Sequence, residues 1–317
     1  MKNFIVCVLN FMTFGTLLAG NLQITSENPW QETVDNGMKC YTLDYSGQER
    51  SGLSFSMPVK PGGYYMVSWK MKGSVQEDIA PFGIELNMNG KTETANYVLT
   101  KDWNDYVFYF YSEDSTEAKL RLRLNPGKSK TITIKDVKAD AVTDKQFTQN
   151  LIPDSNFENA SGIPANWSRT NDSTVNPSRI VALPGFISGE KSLEVNFVKQ
   201  PAGQCGFKSI HLPVVPGKDY EFSLWAKSEQ PHTLSVSMDI IGFTRKIGAT
   251  HFYKRELLKV TPEWKAYSFK TTAIPMDIVK YPDLQNRMLI IHIRWEDKTQ
   301  DGKVWFDDME FKQIEQK

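Results

Sequence analysis

Pro58-Val59-Lys60-Pro61-Gly62-Gly63-Tyr64-Tyr65-Met66-Val67-Ser68-Trp69-Lys70-Met71-Lys72 returns as Pro213-Val214-Val215-Pro216-Gly217-Lys218-Asp219-Tyr220-Glu221-Phe222-Ser223-Leu224-Trp225-Ala226-Lys227, an offset of 155 residues. Two further segments recur in the same order. Leu99-Thr100-Lys101-Asp102-Trp103 pairs with Val260-Thr261-Pro262-Glu263-Trp264, and Ile132-Thr133-Ile134-Lys135-Asp136-Val137 with Val304-Trp305-Phe306-Asp307-Asp308-Met309. The offset grows to 161 and then 172, so the second copy carries longer loops between matched segments. A repeat at this period implies two domains of ordinary size rather than one large fold.

The segments around these matches alternate with period two. Tyr220, Phe222, Leu224 and Ala226 point one way, and Glu221, Ser223, Trp225 and Lys227 the other. Leu234-Val236-Met238-Ile240, Leu289-Ile291-Ile293-Trp295, Ile84-Leu86-Met88 and Leu120-Leu122-Leu124 follow the same rule. One dry face and one wet face per strand describe an antiparallel sandwich. No long segment has a helical period. The fold class is therefore all-β, with two tandem β-sandwich domains.

Met1-Lys2-Asn3 followed by the uncharged run Phe4 to Ala19 and Gly20 reads as a signal peptide. The domains then fall at 21–140 and 150–317, with a polar linker at 141–149. The expected location is secreted or periplasmic, with no membrane span. Loss of the leader removes Lys2 and leaves 36 basic side chains against 37 acidic ones. Such a balance argues against nucleic acid as a partner, which needs a basic field. Cys40 and Cys205 occupy non-equivalent places in the two copies and are expected as unbridged thiols.

The second copy resembles the cellulose/xylan-binding carbohydrate-binding modules, jelly rolls of the galactose-binding-like superfamily. The resemblance is carried by Asn150-Leu151-Ile152-Pro153-Asp154-Ser155-Asn156-Phe157-Glu158 with Trp167, by Gly189-Glu190-Lys191-Ser192-Leu193, by Pro216-Gly217 through Trp225-Ala226-Lys227, and by Val304 to Met309. The first copy matches only the middle and the end, as a diverged sibling. The resemblance implies a polysaccharide or oligosaccharide ligand, a glycanase as a further partner, and a structural calcium ion. Glu158 and Asp307 match the positions whose carboxylates would hold that ion, while Lys135 stands where Asp307 would be in the first copy.

Sugar rings need flat apolar platforms ringed by polar groups. Trp225 and Trp305 are candidates because alternation turns them outward, whereas Trp69 aligns with Leu224 and should lie in the core. His292 and Arg294 share the wet face of another strand. Tyr109, Tyr111 and Arg121, with Arg123, Glu85 and Asn87, form the first copy's candidate group. Trp103, Trp264 and Trp167 are expected as framework residues. For catalysis the sequence is quiet: no His-x-x-x-His pair, nucleophile elbow or phosphate loop occurs. The reading is an exported, non-catalytic glycan-binding protein. Its alternatives are a structural or adhesion sandwich without sugar binding, and a polysaccharide hydrolase or lyase on the same scaffold.

Overall fold

Pro61-Gly62 and Pro216-Gly217 each form a turn in which glycine takes the left-handed conformation, at φ 73° and 79°. Proline at the second position and glycine at the third are what a type II turn requires. The turns close with Gly63 N–H to Lys60 O at 3.2 Å and Lys218 N–H to Val215 O at 3.2 Å. From each turn the chain enters a long strand, Tyr64–Val75 or Asp219–Ser228, whose alternate side chains are buried. Trp69 is 2% exposed and lies among the core residues, while Trp225 stands half-buried on the outward side.

These elements come from a computed structural model, which describes residues 7–8, 23–26, 31–35, 38–44, 52–75, 80–124, 129–158, 165–169, 178–182, 187–197, 206–240, 251–273, 287–297 and 300–315. The chain divides into two units, Met1–Val142 and Thr143–Lys317. In the first, one sheet runs Cys7–Val8, Gln23–Ser26, Gly52–Pro58, Glu117–Leu124, Ala80–Met88, Lys91–Leu99. The other runs Gln31–Asp35, Met38–Asp44, Ser129–Ala141, Tyr64–Val75, Asn104–Tyr111.

The second unit repeats this order. One sheet runs Trp167–Arg169, Gly206–Ser209, Met288–Trp295, His232–Ile240, His251–Val260, with Leu212–Pro213 beside Met288–Trp295. The other runs Ser178–Ala182, Lys191–Phe197, Gly302–Ile314, Asp219–Ser228, Lys265–Thr272. Apart from the short Cys7–Val8 and Leu212–Pro213 strands, the two lists correspond strand for strand. The duplication is one of topology.

Each unit is a sandwich because aromatic side chains meet between its sheets. Phe82 and Tyr106 pack edge to face at 5.4 Å in the first unit, and Phe207 and Phe306 at 5.2 Å in the second. Such pairs combine apolar burial with favourable ring geometry. Unit two is closed at its start by Asn150. Its side-chain oxygen accepts from Ile152 N–H and Phe311 N–H at 3.0 and 2.9 Å, and its amide donates to Met309 O at 3.1 Å. That contact explains why the Asn-Leu-Ile opening and the Trp-Phe-Asp-Asp closure occur together.

Residues expected as a linker include a turn of helix, Asp144–Phe147, inside the second unit. Phe147 is buried and Thr143 N–H donates to the Gln146 side chain at 2.7 Å, so this stretch is anchored rather than free. The expected leader lies outside the described residues except for Cys7–Val8, which pair with Gln23 and Ile24. Cys40 is buried, and Cys205 lies outside the described residues. Among the described residues no helix is long and apolar enough to cross a membrane.

Candidate functional site

In the second unit Met288–Trp295 lies between Gly206–Ser209 and His232–Ile240. Leu289, Ile291, Ile293, Leu234, Val236 and Met238 fill the core. The intervening residues turn outward: Ile290, His292 and Arg294 on one strand, Ser235, Ser237 and Asp239 on the next. An ordinary wet face would leave them exposed. Instead Ser235, Ser237 and Asp239 are buried.

The buried groups form a cluster. Arg294 Nη1 donates to Ser237 Oγ at 2.7 Å and Nη2 to Asp239 Oδ2 at 3.1 Å. His292 Nε2 lies 3.4 Å from the same carboxylate oxygen. Arg255 and Glu296 form an ion pair at 2.8 Å on the same outward side. Four atoms of the cluster are buried without a partner among the described residues: Ser235 Oγ, Asp239 Oδ1, His292 Nδ1 and Arg294 Nε. A buried polar atom left unpaired costs about 1–3 kcal/mol, so four in one cluster set this face apart from an ordinary wet sheet.

Electrostatics keep the cluster's histidine neutral. Burial, and then the Arg294 and Lys208 cations, push the His292 imidazole down to about 3. Burial raises the Asp239 carboxyl above its ordinary value, against the pull of Ser237 and Arg294. Neutral His292 thus offers a lone pair on one nitrogen, and Asp239 and Arg294 supply an acceptor and a donor.

The predicted tryptophans stand elsewhere. Trp225 and Trp305 occupy adjacent strands of the other sheet, facing out from the opposite side of this sandwich. Trp305 is occupied within its own unit. Its indole N–H donates to Glu194 Oε2 at 3.1 Å, and the Lys227 and Lys303 ammonium groups sit 5.2 and 5.7 Å from its ring centroid. Lys227 also lies 5.3 Å from the Trp264 ring, as Lys72 lies 4.7 Å from Trp103. Cation–π contacts thus recur at Trp305, Trp264 and Trp103.

The first unit's group also divides. Tyr109 and Tyr111 belong to Asn104–Tyr111 in one sheet, while Arg121, Arg123, Glu85 and Asn87 lie on the other. They do not form one surface. Tyr109 is moreover buried, which pushes its hydroxyl up to about 12. Sequence reasoning missed Asp239, Ser237 and Ser235. Their signal was small or acidic polar residues at every second position beside an alternating His-x-Arg.

Glu158 and Asp307 approach each other at the closing bulge. Asp307 Oδ1 accepts from Asp308 N–H at 2.8 Å, and Oδ2 is buried with no hydrogen-bond partner among the described residues. Burial, with the neighbouring Asp308 and Glu158 charges adding to it, drives the Asp307 carboxyl up to about 7. Glu158 Oε1 accepts from Glu190 and Lys191 N–H, both at 2.8 Å. Among the described residues no group of three or more His, Cys, Asp or Glu is arranged for a metal. In the first unit Lys135 holds the matching place, 4.1 Å from the Trp103 centroid, followed by Asp136 at φ 54° where Asp308 has 44°.

Comparison with known proteins bears on the second unit. Residues 149–278 match the carbohydrate binding domain family. The chain is similar to the N-terminal CBM22-1–CBM22-2 tandem domain of Xyn10C from Paenibacillus barcinonensis, at 15% identity and a TM-score of 0.39, over 96% of this chain and 100% of that one. The CBM22-1 xylan-binding domain of the same protein gives 13% identity and 0.37, over 50% and 91%. An arabinose-bound α-L-arabinofuranosidase, MgGH51, gives 12% and 0.41, over 54% of this chain and 27% of the enzyme. No curated protein matches the sequence.

The depressed His292 value carries a pH prediction. In the unfolded chain this imidazole protonates near 6.5, in the fold only near 3, so the unfolded state holds the extra proton between them. The stability contributed by neutral His292 is complete above about 6.5 and is lost as pH falls toward 3, by an amount on the order of a few kcal/mol. Asp239 works in the opposite sense, so the histidine effect is isolated by comparison with His292→Gln. Urea unfolding at pH 7 and pH 4 should show the wild type losing more stability than the variant. A pH-independent difference between the two would contradict the assignment.

Proposed function

We propose that the protein is an exported, non-catalytic glycan-binding protein and that its second unit binds sugar through the Ser235–Asp239–His292–Arg294 face. The observation that supports this reading is the set of four buried polar atoms without partners among the described residues, in a unit whose residues 149–278 match a carbohydrate binding domain family. Sugar hydroxyls both donate and accept. A polyhydroxylated chain can therefore satisfy Asp239 and His292 as acceptors and Arg294 as a donor at once. Asp239 is held by Arg294 and His292, and Glu296, the other carboxylate on this side, is paired with Arg255. The leader read from Met1 to Gly20 supports a secreted or periplasmic location, where polysaccharide and a glycanase acting on it would be met.

Affinity electrophoresis in native gels containing xylan, laminarin or hydroxyethylcellulose tests this. Wild type should be retarded in at least one gel. Arg294→Ala should weaken retardation roughly ten- to a hundredfold, the value of one or two charge-assisted hydrogen bonds. Trp305→Ala should keep wild-type retardation while lowering thermal stability. An unretarded wild type, or a Trp305→Ala defect as large as that of Arg294→Ala, would reject the placement.

The second unit is also proposed to hold a structural calcium ion at Asp307 and Glu158. The buried Oδ2 of Asp307, with the Asp308 and Glu158 carboxylates beside it, suits a hard cation, with backbone oxygens completing the shell. Bound there, calcium would neutralise the acids and tie the opening segment to the closing strand. Chelation should lower the wild-type melting temperature, and calcium should restore it. Asp307→Asn should respond to neither. Identical melting of the wild type with and without chelator would remove the metal from the account.

A further inference from the structure

The first unit carries its own version of the ligand face, and the strand registers align the two without reference to their sequences. Arg294 lies opposite Gly206 on one neighbouring strand and Ser235 on the other. Arg123, on the corresponding strand of the first unit, lies opposite Gly52 and Gly83. Two residues away, His292 faces Lys208 and Ser237, and Arg121 faces Ser54 and Glu85. One step further Asp239 is matched by Asn87, opposite Ile290 and Lys119 respectively. An arginine thus occupies the same node of the same sheet in both units, with a glycine beside it.

The chemistry around that arginine is preserved although the partner has moved. In the second unit the carboxylate is Asp239; in the first it has shifted two residues along the strand to Glu85. Arg123 Nη1 donates to Glu85 Oε1 at 2.6 Å, and Arg121 Nη1 lies 4.0 Å from Glu85 Oε2. The guanidinium lies beside Gly83. A Cβ built there would stand 3.6 and 3.8 Å from Arg123 Nε and Nη2, so the side chain lies across the bare backbone. Asn87 adds an amide beside Glu85, and Thr94 lies opposite Glu85 on the next strand.

The face differs from its counterpart in exposure. The side chains of Arg123, Arg121 and Glu85 are 30%, 32% and 17% exposed, against 11%, 15% and 1% for Arg294, His292 and Asp239. The first unit's pair is thus reachable from solvent while that of the second is closed over, and a shared ligand chemistry accounts for an arginine–carboxylate pair at the same node in both copies.

We propose that the first unit binds the same class of polysaccharide as the second, through a face centred on Arg123 and Glu85. This rests on the reading of the second unit's face, and it makes the protein bivalent. Two modest sites on one chain can raise avidity for a polymer wherever both are able to engage it.

The test uses the full chain in native gels containing xylan, laminarin or hydroxyethylcellulose, whichever retards the wild type. Arg294→Ala should retain a weakened retardation, and adding Arg123→Ala should abolish what remains. Arg123→Ala alone should weaken retardation roughly tenfold or more, with a melting temperature close to wild type. If Arg123→Ala fails to fold, Glu85→Gln replaces it, because it keeps the side-chain size and removes the charge. Complete loss on Arg294→Ala alone, or wild-type retardation of folded Arg123→Ala, overturns the second site and leaves the first reading standing. A wild type unretarded in every gel overturns both.

Discussion

Everything outward-facing in either unit depends on the Pro-Gly turn and the tyrosine hydroxyl that fastens it. Tyr65 and Tyr220, the first inward residues of the two central strands, accept from Lys60 and Val215 N–H at 2.6 and 2.8 Å. Glycine amides of the same turns donate across to Glu113 O and Ala273 O, each at 2.5 Å. At the far end Gly73 N–H and Ser228 N–H donate to Thr100 O and Thr261 O, both at 2.9 Å. Fixed at both ends, the strand cannot slip by one residue, a slip that would move every core side chain to the surface. Tyr65 over Phe110 and Tyr220 over Phe311 then stack at 5.4 and 5.2 Å. The register is set by backbone geometry before any ligand chemistry enters.

With the inward residues constrained, the outward ones were free to diverge. Lys70 stands where Trp225 does, Lys135 where Asp307 does, and Thr133 where Trp305 does. The first unit bridges its outer strands with Thr33, Thr42 and Thr133 hydroxyls at 3.0 and 3.2 Å. The second uses Glu194, Trp305 and lysines instead. On the opposite sheet the divergence has a limit. Arginine remains at the same node, beside a glycine, with a carboxylate in reach. Selection for a stable sandwich accounts for the repeated turn, cation–π and tyrosine contacts. The arginine face is the part such selection does not account for.

Period-two alternation made the dry and wet sides legible from sequence, which is why Trp69 inside and Trp225 outside could be read without coordinates. Alternation is local, however. It does not say which strands become neighbours when the connections cross between sheets. Trp225 and Trp305 therefore looked like companions of His292 and Arg294, although the topology sends the two pairs to opposite sides of the sandwich. The same limit joined Tyr109 and Tyr111 to Arg121. Nor does alternation predict that an outward serine or aspartate will be buried. Asp239 became visible as a site residue only when Arg294 and His292 were found converging on it from the next strand. Lys227 over Trp264 and Trp305 escaped for a related reason, since cation–π contacts join residues far apart in sequence.

The central claim is that the ligand face of the second unit is the arginine face and not the tryptophan face. One ¹⁵N NMR titration reports both, because arginine Nε–H and tryptophan indole N–H resonances appear in the same spectrum. Titrating the full chain with oligosaccharides from whichever polysaccharide it binds should shift Arg294 Nε–H and leave the Trp225 and Trp305 indoles in place. Shifts at both indoles with Arg294 unmoved would contradict the account.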